Sequence, residues 1–547
     1  MVSLERPGVR WSLAIVAWLA LLVLATWPAF AAPWTHAPGV PRGDLWNTLW
    51  GVGFVGDALG RGELPWRTDL LAAPDGGVLW VADPVGAIAM AAMERVLPPP
   101  AAYAFVTAAR LVGAAAAMSV FARAWLAEKV AGHPRDNAHS WLAGGLAGAI
   151  LMLAAPLTMC LRNGTSEGTD GLALVLAVHA GWHAARSPGA RPLWILAGAT
   201  ALACAAQPYG ALVAGMALGA LLVTDTTPLR RRLSVLAVLV TVGTAWAGLV
   251  SGLLHHPDQL ARGAQVTTNT GPPGGADLAG WWSHTCGARP RPGPDGQLAH
   301  CLALPPLVLL LGAVGVARAR ATAMPWVLLA ATSALFATGT AWSWHGHPVM
   351  ATLATPWSLL PEAVVNALGQ PWRLSLGAWF AVAMASTRAL PERGWLRGIV
   401  LVASAAALAG PLPETHRPEA VDTTTSPALL ALADGPPGAV LAYPLASARR
   451  ALWDQRTHHH PLLLALNEGR SARAAAFLDG LAALPRDPGS FEGAVARLGR
   501  KHGVRYLVAR GDYVARSEPA HASVEALLER LPPVGQDDAL VRVRALW

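Results

Sequence analysis

Three polar clusters interrupt an otherwise apolar chain, and each carries residue types able to do chemistry. The first is Arg42-Gly43-Asp44-Leu45-Trp46-Asn47, followed by Asp69, Pro74-Asp75-Gly76-Gly77 and Asp83-Pro84. A carboxylate partly withdrawn from water is a candidate general base toward a hydroxyl. Asp44 equally fits the cap of a helix that starts at Leu45, and both readings stand. The second cluster is Arg162-Asn163-Gly164-Thr165-Ser166-Glu167, with Asp170 just inside the next apolar run. An ionisable residue inside such a run marks a functional position unless it lies close enough to the interface to reach water. The third is Trp342-Ser343-Trp344-His345-Gly346-His347-Pro348, then Gln370-Pro371-Trp372-Arg373. Arg373 heads an apolar run, where a planar guanidinium suits either a phosphate, gripped by two bonds, or an ion pair with a nearby acid. His345 and His347 are candidate contacts for phosphate or metal, although an H-x-H pair in a loop is weak evidence. His458-His459-His460 raise a metal question that no neighbouring Cys or patterned acid supports.

The elements that must position these residues are mostly membrane helices. Of 547 residues, 54% are hydrophobic and 14% charged, against about 25% charged in an ordinary soluble domain. Mean hydropathy is +0.39, and the apolar residues form runs of about 20 or fewer with short polar breaks. Such runs fit Trp11–Phe30, Tyr103–Trp125, Trp141–Cys160, Gly168–Ala185, Leu193–Ala206, Pro208–Val223, Leu233–Leu254, Leu302–Val316, Ala323–Ala341, Leu374–Thr387 and Gly398–Ala409. The expected fold is therefore an α-helical polytopic membrane protein of about 11 spans. The net charge of +8 does not point to nucleic acid, because the basic residues fall at span ends and in the tail rather than on one face. Ala29-Phe30-Ala31 resembles a signal-peptidase site, but the preceding run is long for a signal core, so an uncleaved first helix is expected.

Alternating the span ends collects Arg6/Arg10, Arg123/Lys129/Arg135, Arg186/Arg191, Arg230–Arg232, Arg318/Arg320 and Arg388/Arg393/Arg397 on one side. Basic short loops belong to the cytoplasmic face. A multi-pass protein of a bacterial inner membrane is expected, with a cytoplasmic N-terminus. The loops 32–102, 161–167, 255–301 and 342–373 and the tail then lie outside. An amphipathic stretch with Trp46, Trp50 and Phe54 is expected to lie in the bilayer interface, holding Asp44 at headgroup depth. Cys286 and Cys301 share one outer loop, where either a disulfide or two free thiols is consistent with their placement. Cys160 and Cys204 sit within apolar runs and read as packing residues.

Residues 1–410 thus form a transmembrane domain with a large first outer loop, and 411–547 form a small extracytoplasmic α/β domain. Its strands are expected at Ala439–Leu445, Val504–Ala509 and Leu540–Leu546, and its helices at Ser471–Leu484 and Phe491–His502. It has no phosphate-loop or nucleophile-elbow pattern.

This layout resembles the GT-C superfamily of polytopic glycosyltransferases, in particular the bacterial branch with a C-terminal periplasmic domain. The resembling pieces are Gly43-Asp44, Asp83-Pro84, the Gly164–Glu167 turn, His345-Gly346-His347-Pro348, Thr355-Pro356-Trp357-Ser358-Leu359-Leu360-Pro361 and Pro371-Trp372-Arg373. In the tail they are Val440–Leu445, Gln455…His458 and Gly503-Val504-Arg505-Tyr506. The resemblance implies transfer of a sugar from a polyprenyl-phosphate donor to a glycan, lipid or protein acceptor on the outer face. It implies Asp44 as the base, Asp83 as a second acid orienting the site or a metal, and Arg373 facing the donor phosphate. His345, His347, Glu167 and Asn163 join as substrate-binding candidates. The Asp-x-Asp signature of some relatives is absent, so a divalent metal is unsupported and no other cofactor is implied. A non-catalytic envelope-assembly or glycan-binding protein is the alternative. A lipid-linked-glycan transporter ranks lower, because it calls for repeated halves and mid-span charges.

Overall fold

The computed structural model describes residues 7–79, 81–129, 137–254, 256, 276, 278, 281, 304–339, 342–344, 347–349, 354–359, 370–410, 412, 416–464, 472–484, 488–513 and 520–547. Cys286, Cys301 and His345 lie outside them.

Each apolar run carries a helix among the described residues. The helices begin with α1 (Pro7–Ala25), and α2 (Leu45–Gly60) and α3 (Pro84–Met93) follow in the first long loop. The bundle continues with α4 (Pro99–Lys129), α5 (Asn137–Met152), α6 (Ala155–Asn163), α7 (Gly171–Arg186), α8 (Arg191–Ala206), α9 (Pro208–Thr224) and α10 (Leu229–Leu254). Further helices cover Pro306–Ala319, Met324–Ala337, Leu376–Ser386 and Gly394–Ala409. By length and hydropathy, four helical stretches among the described residues are able to cross a membrane: Gly8–Ala25, Pro99–Glu128, Leu229–Leu253 and Pro306–Ala337. The pair α5–α6, bent by 41°, adds a fifth. Pro156, in the first turn of α6, removes an amide donor at that bend and accounts for it.

Small residues set the closest helix approach in the bundle. A Cβ on Gly144 of α5 would lie 2.8 Å from the Ser119 carbonyl oxygen on α4. Gly148, one turn on, sits more tightly still against the Ala115 carbonyl. This small-xxx-small spacing lets two backbones touch where lipid offers no hydrophobic drive. At one end of the bundle Arg186 of α7 pairs with Glu128 of α4 at 2.8 Å and with Asp225 after α9. There Arg231 of α10 donates to the Ala184 carbonyl at 2.6 Å.

The second body joins the first long loop to the tail. Strand β1 (His36–Gly39) pairs antiparallel with Glu419–Asp422, in the register His36 to Asp422. Short hairpins occupy β2 (Arg67–Thr68) with β3 (Gly77–Val78) and β4 (Ser343–Trp344) with β5 (His347–Pro348). With Glu419–Asp422 counted as β6, the tail continues as β7 (Ala439–Tyr443), β8 (Val504–Arg510) and β9 (Val541–Ala545). The last three form one sheet, β7 parallel to β8 and β8 antiparallel to β9. Helices Pro427–Ala433, Ala448–His458, Ala472–Ala482, Pro488–His502 and His521–Arg530 complete it. The expected tail strands and helices are all present.

One expectation is corrected. Helix α2 does not lay its aromatic face in lipid. Trp46 and Trp50 are 1% and 3% exposed, in a hydrophobic cluster shared with Leu441, Trp453 and Leu462 of the tail. The Trp50 indole donates to Gln455 Oε1 at 2.6 Å, and the Arg450 guanidinium lies 4.2 Å over the Trp46 ring. The tail offers these rings both an apolar partner and an acceptor for the indole N–H, which acyl chains lack.

Candidate active site

The turn between α6 and α7 is where the separate clusters meet. Gly164, at φ +76°, ends α6 in the left-handed region that favours glycine. A short helical turn, Ser166–Thr169, then leads to Asp170, whose carboxylate caps α7 by accepting from the Ala173 amide at 3.0 Å. The first loop is pressed against this turn. Thr48 donates to the Gly164 carbonyl at 2.7 Å. Neither Gly43 nor Gly164 has room for a side chain, because a Cβ would meet the backbone of Asn163 or of Leu45 respectively.

Asp44 sits at the N-cap position of α2 but makes no cap hydrogen bond. Its Oδ2 instead accepts from Asn163 Nδ2 at 2.5 Å and from Thr165 Oγ1 at 3.3 Å. Its Oδ1 faces Arg449 Nη1 at 3.1 Å, and that guanidinium also donates to the Arg42 carbonyl at 3.3 Å. The Asp44 side chain is 30% exposed.

Asp83 is a buried anchor. It caps α3 through the Gly86 amide at 2.7 Å and takes a two-pronged bond from Arg110 of α4 at 2.6 and 2.9 Å. Arg110 also reaches Asp170 at 3.4 Å and the Ser166 carbonyl at 3.4 Å. One cation thereby ties the loop acid, the cap of α7 and the turn together, the geometry that gives strong charge-assisted bonds.

Arg373 lies in the helical turn Pro371–Ser375 that leads into Leu376–Ser386. Its Nη1 meets Glu167 Oε1 at 3.3 Å, and its guanidinium stands 5.3 Å from the Tyr209 ring and 5.7 Å from the Trp372 ring. Its Nε is buried with no hydrogen-bond partner among the described residues. Burial pushes the Glu167 carboxyl above its ordinary range; Arg373 opposes this, and the charges of Asp44 and Asp83 add to it. Of the two histidine candidates, His347 lies on β5 opposite Trp344. His458 and His460 are committed to the tail's own backbone. His458 Nδ1 accepts from the His460 amide at 3.1 Å, and His460 Nε2 contacts the Leu432 carbonyl at 2.9 Å.

Two residues of this arrangement were not singled out from the sequence. Arg110 stands within an apolar run, which was signal enough to ask for its partner. Arg449 gives no local sign, because its partner is a first-loop acid.

The fold is that of the GT-C membrane glycosyltransferases. The chain is similar to the arabinofuranosyltransferase AftD from Mycobacteria, with a TM-score of 0.56 at 14% identity, over 98% of this chain and 40% of that one. It is also similar to the oligosaccharyltransferase of Archaeoglobus fulgidus in its apo form, with a TM-score of 0.50 at 12% identity, over 93% of this chain and 70% of that one. This chain thus spans less than half the length of AftD. No protein-family model and no curated protein sequence matches it.

Proposed function

We propose that the protein transfers a sugar from a polyprenyl-phosphate donor to an acceptor hydroxyl on the outer face of the membrane. The observation that carries this reading is the meeting of a half-exposed carboxylate and an incompletely bonded guanidinium on the turn 163–170. Asp44 is the base: Asn163 and Thr165 fix one oxygen, which aims the other, beside Arg449, toward an acceptor hydroxyl. Arg373 receives the donor phosphate. Among the described residues its long bond to Glu167 and its unbonded Nε leave donors in hand. The leaving group is already a phosphate, so a base and a cation meet the chemical need. Asp83 acts at one remove, as a positioning acid held by Arg110. Pairing of the first loop with the tail supports placing both outside, with the basic bundle end facing the cytoplasm.

The test uses the full chain in nanodiscs with farnesyl-phosphate-linked arabinofuranose and mannose, each radiolabelled in the sugar, and a panel of glycan acceptors. Asp44→Asn should lower transfer by about 10²–10⁴-fold while the protein accumulates and melts like the wild type. Transfer persisting in a well-folded Asp44→Asn protein would remove Asp44 as the base.

A further inference from the structure

Asp44 has no idle oxygen in this structure. Oδ2 is bonded by Asn163 and Thr165, both on the bundle's own turn, and Oδ1 by Arg449 of the tail helix Ala448–His458. Each carboxylate oxygen has two lone pairs, so Oδ1 keeps one acceptor position beside Arg449, and a hydroxyl that comes to it competes with that guanidinium for the same oxygen. The Asn163 and Thr165 contacts belong to a tightly packed turn, where a Cβ on Gly43 or Gly164 would run into backbone. The Arg449 contact differs in kind. Its two side chains are 25% and 30% exposed, whereas those of the Arg110–Asp83 pair are 8% and 2% exposed. A buried pair is locked by the cost of separating its charges; a partly exposed pair is weaker and yields to a bound partner that contributes interactions of its own.

Resting on the transfer reading above, we propose that Arg449 is a positioning residue that keeps Asp44 covered until an acceptor displaces it, so that water is not activated against the lipid-linked donor. The reaction it suppresses is donor hydrolysis. Water's oxygen attacks the anomeric carbon, its proton passes to Asp44 Oδ1, and the bond from that carbon to the phosphate oxygen breaks. The lipid phosphate then leaves with the electron pair. Transfer follows the same course with the acceptor oxygen in place of water. An acceptor large enough to push the guanidinium aside opens the site, and a water molecule is not. The Arg42 carbonyl, which already accepts from Arg449, remains as a partner for the displaced guanidinium.

The experiment measures free sugar and glycosylated acceptor side by side, using the two farnesyl-phosphate donors in nanodiscs. Wild-type protein should release little free sugar without acceptor. Arg449→Gln should raise the ratio of hydrolysis to transfer about fivefold, the population equivalent of a half-exposed ion pair. Arg449→Lys, which keeps the charge, should restore the wild-type ratio. A merely structural role would lower both products together and leave the ratio unmoved, and that result overturns the proposal. So does a wild-type protein that hydrolyses donor without acceptor as fast as it transfers with it, a measurement that does not depend on any variant folding. A wild type that consumes neither donor in either mode removes the transfer reading and this proposal with it. Normal transfer with an unmoved ratio removes this proposal alone.

Discussion

Replacing Gly43 by alanine tests how closely the acid is held to the turn. A Cβ there would lie 3.0 Å from the Asn163 carbonyl carbon and 2.9 Å from a Val40 methyl, and nearer still to the Asn163 oxygen. Ordinary contact begins at 3.4 Å, so loop and turn must part by roughly half an ångström or more. The 2.5 Å bond from Asn163 to Asp44 sits beside that contact and cannot survive such a shift unchanged. Overpacking of this kind costs about 1–3 kcal/mol. A displacement of about 1 Å in a reacting arrangement lowers rate by on the order of 10²-fold. Gly51 supplies the internal control. It lies inside α2, the helix that begins just after Asp44; among the described residues nothing beyond its chain neighbours and the helix's own backbone stands within 4 Å of its Cβ, and alanine is favoured there by about 1 kcal/mol on helix propensity. Both variants are compared with wild type by thermal unfolding in nanodiscs and by transfer from the farnesyl-phosphate donors. Gly51→Ala should melt at or above the wild-type temperature and keep its transfer rate. Gly43→Ala should melt lower and lose transfer by about 10–10²-fold. A Gly43→Ala protein with wild-type melting and transfer would refute the claim that this backbone contact sets the position of Asp44.

The tail should weaken in mild acid. Burial, then the neighbouring His460 and His459, hold His458 down to about 3, whereas an unfolded histidine titrates near 6.5. The native state therefore binds fewer protons, and the stability His458 contributes is complete above about pH 6.5 and lost as pH falls toward about 3. The loss at pH 5.5 is about 1.4 kcal/mol, read as a lower melting temperature than at pH 7.5 that His458→Gln largely abolishes; equal shifts in both proteins would remove His458 as the cause. A phosphatase that folds only in the periplasm, fused after Trp547, should be active in cells. An inactive fusion, with activity recovered when the enzyme is placed after Arg320, would reverse the orientation.

The helical bundle was legible because lipid imposes one rule on every segment that meets it, and long apolar runs have few other uses. The tail was legible for a different reason. Pro436-Pro437-Gly438 and Gly503 punctuate it, and each is followed by a short apolar run with a strand's composition. What escaped was pairing across long sequence separation. Trp46, Trp50 and Phe54 have the composition of an interfacial belt, and only the tail's Gln455 and Trp453 show that they have a protein partner instead. Asp44 was visible as an acid beside a helix start, but its contacts with Asn163, Thr165 and Arg449 depend on segments brought together by the fold. The Arg110–Asp83–Asp170 link was hidden in the same way, although an arginine inside an apolar run announces that some partner exists.

The union of the first loop with the tail also sets an order of events during synthesis. Trp50 waits for Gln455, 405 residues later, and β1 waits for β6 to complete its pairing. At about 5–20 residues per second, the ribosome needs roughly 20–80 s to supply that partner. Throughout that interval the segment carrying Asp44 is already on the chain, with its aromatic face uncovered and Arg449 not yet made. The bundle helices can assemble meanwhile from contacts already translated, such as α4 against α5. The nascent chain is therefore a membrane scaffold first, and the reacting arrangement is among the last things it completes.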